Sequence, residues 1–133
     1  MIGLLIVTHC DLGKEFLNAA EFIVGSVEAV EVISITQTQT SDSEKIRKMI
    51  EDKITVLNKG DGIIILTDMF GGTPSNLSLS FLKEEKVEVL TGVNLPMVIA
   101  IIQHRSNLGL SELAETAQEA GKASISLAGK LLK

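Results

Sequence analysis

The sequence predicts a doubly wound α/β domain built on an open, largely parallel sheet with helices on both faces. Three observations carry this. Apolar runs of strand length recur along the chain, most of them ending in polar residues, and segments with apolar residues spaced three and four apart separate them. The 133 residues are also enough for one domain with a core of its own. No repeat, low-complexity stretch or linker interrupts them, so residues 1–133 read as a single domain.

The first run, Ile2 to Thr8, is continuously apolar until its end, as suits a strand buried on both faces. From Asp11 the period changes: Leu12, Phe16, Leu17, Ala20 and Ile23 recur at helical spacing, and Gly25 supplies a C-terminal cap. Val30 to Ile35 is a second, β-branched run. The polar stretch TQTQTSDS follows as a loop, with an N-cap expected at Ser41 or Asp42. Ile46, Met49, Ile50, Ile54 and Leu57 then share one helical face, and NKGDG stops it. Ile63 to Thr67 is the third buried strand, and the turn DMFGG leads into a helix with Thr73 as N-cap and Pro74 at its first position. Val87 to Thr91 is the fourth strand. Pro96 to Gln103 and Ser111 to Ala120 read as two more helices, and SISL near the end reads as a short last strand.

Composition narrows the function classes. Seventeen acidic residues against 12 basic ones give a net charge of −5, and no Lys/Arg block is present to follow a phosphate backbone. Nucleic acid is not an expected partner. No apolar run is long enough to cross a bilayer, and Met1 to Val7 lacks the basic region and cleavage site of a signal peptide, so a cytoplasmic location is expected. One cysteine and two distant histidines offer neither a disulfide framework nor a zinc spacing. No metal or diffusible cofactor is expected.

In sheets of this kind the ligand crevice lies beyond the carboxyl ends of the strands, where the strand order reverses. With strand 1 flanked by strands 2 and 3, that point receives Thr8, His9, Cys10 and Asp11 from one side and Asp68 to Asn76 from the other. His9 and Asp68 therefore meet. A carboxylate bonded to one ring nitrogen fixes the tautomer and leaves the other lone pair free as nucleophile or base. Gly71 and Gly72 let the backbone approach an anion, and Thr73 adds a hydroxyl at a helix start. A histidine facing such a loop suggests phosphoryl chemistry, with the carboxylate offsetting positive charge on the ring.

The runs IVTH at the end of strand 1, LTDMFGGTPSN after strand 3 and TGVNLPM after strand 4 resemble enzyme IIA of the mannose family of the phosphoenolpyruvate:sugar phosphotransferase system. The resemblance spans essentially the whole chain. It implies a phosphotransferase in which His9 accepts a phosphoryl group on Nε2 from phospho-HPr and passes it to a IIB component for sugar uptake. Asp68 would face Nδ1, and Gly71, Gly72 and Thr73 would lie near the phosphate. Some relatives fuse IIA to IIB, whereas this sequence ends near GKLLK, so a separate IIB partner is expected, with the membrane reached only through the permease components. The resemblance also implies strand order 2-1-3-4, with the last strand, Ala123 to Gly129, antiparallel and exchanged across a two-fold homodimer. Cys10 stands where the family usually has a small residue, often glycine.

Two rival readings use the same fold. Asp68 at the end of strand 3 is where a receiver-like domain would carry an aspartyl phosphate, although Asp11 alone replaces the acidic pair such a domain needs. A regulatory phospho-sensor would keep the crevice and dispense with onward transfer. Outside the crevice the expectations are structural. Cys10 is read as a small packed residue, His104 as complementing a helix C-terminus, and Asn94 as setting a turn at the crevice rim.

Overall fold

Four strands, β1 (Gly3–His9), β2 (Val30–Ile35), β3 (Ile63–Thr67) and β4 (Val87–Thr91), form one sheet in the order β2-β1-β3-β4 with every neighbouring pair parallel. This computed structural model describes residues 1–36 and 42–132. Most of the predicted polar loop, and Ser41 with it, lies outside the described residues. β1 and β3 are the interior strands, and Gly3 to Thr8 and Ile63 to Thr67 are buried throughout. That explains their unbroken apolar runs, since an interior strand of a doubly wound sheet has no solvent face.

The two-residue period of the strands divides the core into two layers. Leu4, Ile6, Ile64 and Leu66 pack against α1 (Leu12–Val24), α4 (Leu95–His104) and α5 (Leu110–Ala123). Leu5, Val7, Ile63 and Ile65 face the other way, against α2 (Ser43–Leu57) and α3 (Thr73–Leu79). Each fully buried Leu or Ile contributes about 1.5–3 kcal/mol, so the two layers hold the helices to the sheet without help from surface charge. The layer under α3 also contains polar atoms. The hydroxyls of Thr67, Ser75 and Ser78 are buried and have no hydrogen-bond partner among the described residues.

Helix starts fall within one residue of those expected from the sequence. Asp42 caps α2 by accepting from the Lys45 amide at 3.1 Å, and Asn94 caps α4 by accepting from Met97 at 3.1 Å. Gly25 ends α1 at φ +90°, donating to Glu21 O at 2.9 Å. At α3 the N-cap is Gly72 in place of the expected Thr73, which becomes the first helical residue ahead of Pro74. Gly71 makes the turn one residue earlier, and Gly72, extended at φ −82° and ψ 171°, takes the capping conformation.

The chain end departs further from expectation. α5 runs on to Ala123, and the segment predicted as a strand is instead a short link followed by α6 (Ala128–Leu131). Some of its backbone groups bond locally: Ile125 N donates to Lys122 O, and Leu127 O accepts from Lys130 N and Leu131 N. Ile125 and Leu127 are left exposed.

Arg105, which no sequence pattern singled out, is only 4 % exposed just after α4. Its Nη1 donates to Ala29 O at 3.2 Å and its Nη2 to Glu28 O, tying α4 to the loop that enters β2. Burial lowers the guanidinium pKa and the Glu28 carboxylate partly restores it, so the group stays charged. Charge-assisted bonds of this kind are worth about 1.5–3 kcal/mol each, and they stabilise a loop whose Ala29 sits at φ +55°.

Candidate active site

β1 and β3 are neighbours in register, with Val7 opposite Thr67, so the next residues of both strands emerge together at the carboxyl edge of the sheet. His9 and Asp68 meet there. Asp68 Oδ2 accepts from His9 Nδ1 at 2.8 Å and from the His9 main-chain N–H at 3.0 Å. Its Oδ1 accepts from Met69 N at 3.1 Å. A carboxylate can only accept, so the ring proton of a neutral His9 sits on Nδ1 and the lone pair on Nε2. The His9 side chain is 43 % exposed while that of Asp68 is 11 % exposed. The carboxylate is thus sheltered and the imidazole accessible.

The loop after β3 closes over the ring. Gly71 turns the chain at φ +90°, a left-handed conformation that strains residues with a Cβ. Gly72 is needed for space instead. A Cβ there would stand 2.9 Å from His9 Cε1 and 3.3 Å from Nε2, so the backbone itself forms a wall against the imidazole. The main-chain amides of Gly71, Gly72 and Thr73 donate to no acceptor among the described residues. Asn76 engages both glycine carbonyls, with Nδ2 donating to Gly71 O at 3.3 Å and its amide to Gly72 O at 2.9 Å. Half-exposed His9, sheltered Asp68 and the Gly72 wall are therefore in direct contact, with Gly71 and Thr73 flanking them.

Residues 3–118 match the family EIIA-man, described as PTS system fructose IIA component, PTS being the phosphotransferase system. The chain belongs to this family. It is 32 % identical over 113 residues to the PTS system sorbose-specific EIIA component of Lacticaseibacillus casei, covering 83 % of this chain and 78 % of that one. Similarity to the PTS system mannose-specific EIIAB component of Escherichia coli K12 is 28 % over 123 residues, which is 91 % of this chain but 38 % of the longer protein. Among solved structures, phosphotransferase system component EIIA from Streptococcus agalactiae superposes with a TM-score of 0.88 at 25 % identity, over 98 % of this chain and 99 % of that one. The protein is thus a IIA component of the mannose type.

Two features of this IIA site were not legible in the sequence. Cys10, expected to be packed, is exposed and holds φ +50°, with its amide donating to Ile35 O at 2.8 Å. The turn from strand to helix demands the left-handed conformation, which suits glycine better than cysteine and commits this amide to β2. Thr8 is the second feature. Its buried hydroxyl accepts from Gly13 N at 2.8 Å and donates to Cys10 O at 3.3 Å, so it caps α1 from inside the preceding strand. The N-cap residue, Asp11, makes no side-chain cap bond. Around the crevice of the IIA domain, Leu12, Met69 and Phe70 remain exposed. No group of three or more His, Cys, Asp or Glu side chains among the described residues could hold a metal ion. No helix among them is long and apolar enough to cross a membrane.

Proposed function

We propose that this IIA component is a phosphocarrier that accepts a phosphoryl group from phospho-HPr on His9 Nε2 and passes it to a IIB component for sugar uptake. The reading rests above all on one observation: Nδ1 of the half-exposed imidazole is held by Asp68 at 2.8 Å, so the lone pair is on the opposite nitrogen. In the loading step that lone pair attacks phosphorus, the phosphorus–nitrogen bond of the donor breaks, and its electron pair returns to the donor ring. The proton on Nδ1 stays in place. His9 becomes a cation, and the Asp68 carboxylate balances it. The amides of Gly71, Gly72 and Thr73, which have no acceptor among the described residues, are suited to the negative oxygens of the transferring group, as is the Thr73 hydroxyl. Transfer to IIB repeats the displacement in the opposite sense.

The carrier is read as cytoplasmic, meeting the membrane only through the permease components of its system. Incubation with phosphoenolpyruvate, enzyme I and HPr tests the central claim. The adduct is expected on this chain, labile to acid and stable to base, as a phosphoramidate is. An acid-stable adduct, or none, would reject it.

The same reading includes a homodimer. β4 is an edge strand, and a groove beside it is lined by Val89, Thr91, Met97, Gly121 and Ile125. Exposed Ile125 and Leu127 follow on the chain, and in a pair of subunits this segment could leave its local link and add to the partner's β4 edge, burying both side chains. Light scattering is expected to give twice the chain mass. A monomer at micromolar concentration would remove the exchange from the proposal.

A further inference from the structure

The wall against the imidazole is Gly72, preceded by a second glycine, and glycine backbone is the least able to hold its own conformation. Asp68 fixes one end of the ring through a single side-chain contact at Nδ1, which still permits the ring to tilt about that bond. The opposite edge, Cε1 and Nε2, is limited by the Gly72 backbone, where even a Cβ would not fit. Gly72 can limit it only while the left-handed turn at Gly71 keeps its shape. The side-chain bond on the Gly71 carbonyl comes from Asn76, which also takes the Gly72 carbonyl with its amide. Asparagine is a poor residue for a helix interior because its side chain competes for backbone groups, and here, inside α3, it does so, reaching back five residues.

We infer that Asn76 is a positioning residue for phosphoryl transfer: its clasp on Gly71 keeps Gly72 against the ring and so aims Nε2 at the incoming phosphorus. The inference rests on the reading of His9 as the acceptor. Asn76 is exposed, so removing its side chain opens no buried hole. Alanine is moreover the better helix former. A structural role would therefore lower stability when Asn76 is replaced, whereas a positioning role lowers rate and leaves stability unchanged or raised.

The test uses the full chain with phospho-HPr as donor, comparing wild type with Asn76→Ala and Asn76→Leu. Both variants are expected to load about tenfold more slowly at saturating donor, the rate equivalent of one modest hydrogen bond. The half-saturating donor concentration and the melting temperature should not worsen. Nitrogen chemical shifts of the His9 ring should show more than one ring orientation, with the proton kept on Nδ1 by Asp68. Wild-type rates in both variants, a rate loss that tracks a fall in melting temperature, or a shift confined to half-saturation would each overturn the clasp. If the wild-type chain itself takes no phosphoryl group on His9, the parent reading falls and the inference with it.

Discussion

Replacing His9 by alanine is expected to abolish loading from phospho-HPr altogether while the fold survives. The side chain is part-exposed at the end of β1, and its main-chain N–H would still donate to Asp68, so the strand keeps its register. What disappears is the lone pair. The neighbouring groups that could attack in its place are the Asp68 carboxylate, which is sheltered, and the exposed Cys10 thiol. Radiolabel from phosphoenolpyruvate, followed through enzyme I and HPr, should stop at HPr in the variant. Label retained at the wild-type level would move the acceptor elsewhere in the chain.

The second large effect is expected at Asp68. Asparagine has nearly the same shape, and it can still accept from the His9 main chain with its carbonyl oxygen. Both bonds fall on the one atom Oδ2, however, so if the NH₂ group takes that place it donates to Nδ1 and the main-chain bond is lost. The imidazole would then accept at Nδ1 and carry its proton on Nε2, the nitrogen that must attack. The negative charge that balances the phosphorylated ring is lost as well. A wrong tautomer and a missing counter-charge together are expected to slow transfer by roughly a hundredfold to ten-thousandfold. Rapid-quench measurement of single turnovers, with circular dichroism as the check on fold, gives the answer. An Asp68→Asn protein that exchanged phosphate with HPr at the wild-type rate would end the dyad assignment.

The sheet was legible because both interior strands are buried on both faces, which leaves continuous runs such as Ile63 to Thr67 that need no tertiary information to recognise. The meeting of His9 with Asp68 was legible for a related reason. In a parallel sheet, residues at the ends of adjacent strands lie side by side however far apart they are in sequence. Contacts that depend on close approach were not. Nothing in the composition around Gly72 reveals that the ring occupies the place of its missing side chain, and the Thr8 bond to Gly13 is a distance, not a pattern. Arg105 looked like an ordinary charged residue after a helix, because the carbonyls it holds belong to a loop 76 and 77 positions away. The last segment is a link and a short helix in the single chain, although its composition is a strand's. Ile125 and Leu127 alternate as in a strand, but composition does not say which edge, or whose, would pair them.

The polar seat of α3 links the durability of the fold to the state of the carrier. Thr67, Ser75 and Ser78 bury hydroxyls without partners among the described residues, at a cost of about 1–3 kcal/mol each, and the helix that carries two of them has seven residues. A short helix on so costly a seat is the natural first element to lift from the sheet by local opening, well below the free energy of global unfolding. Lifting it would carry Gly71, Gly72 and Thr73 off the imidazole and dismantle the crevice. Anything bound by their amides holds the helix down by mass action. On the proposed reading the phosphoryl group is such a ligand, so loading would slow the breathing of α3 and unloading would release it. A partner that samples how often this helix opens could then distinguish the charged carrier from the spent one without touching His9.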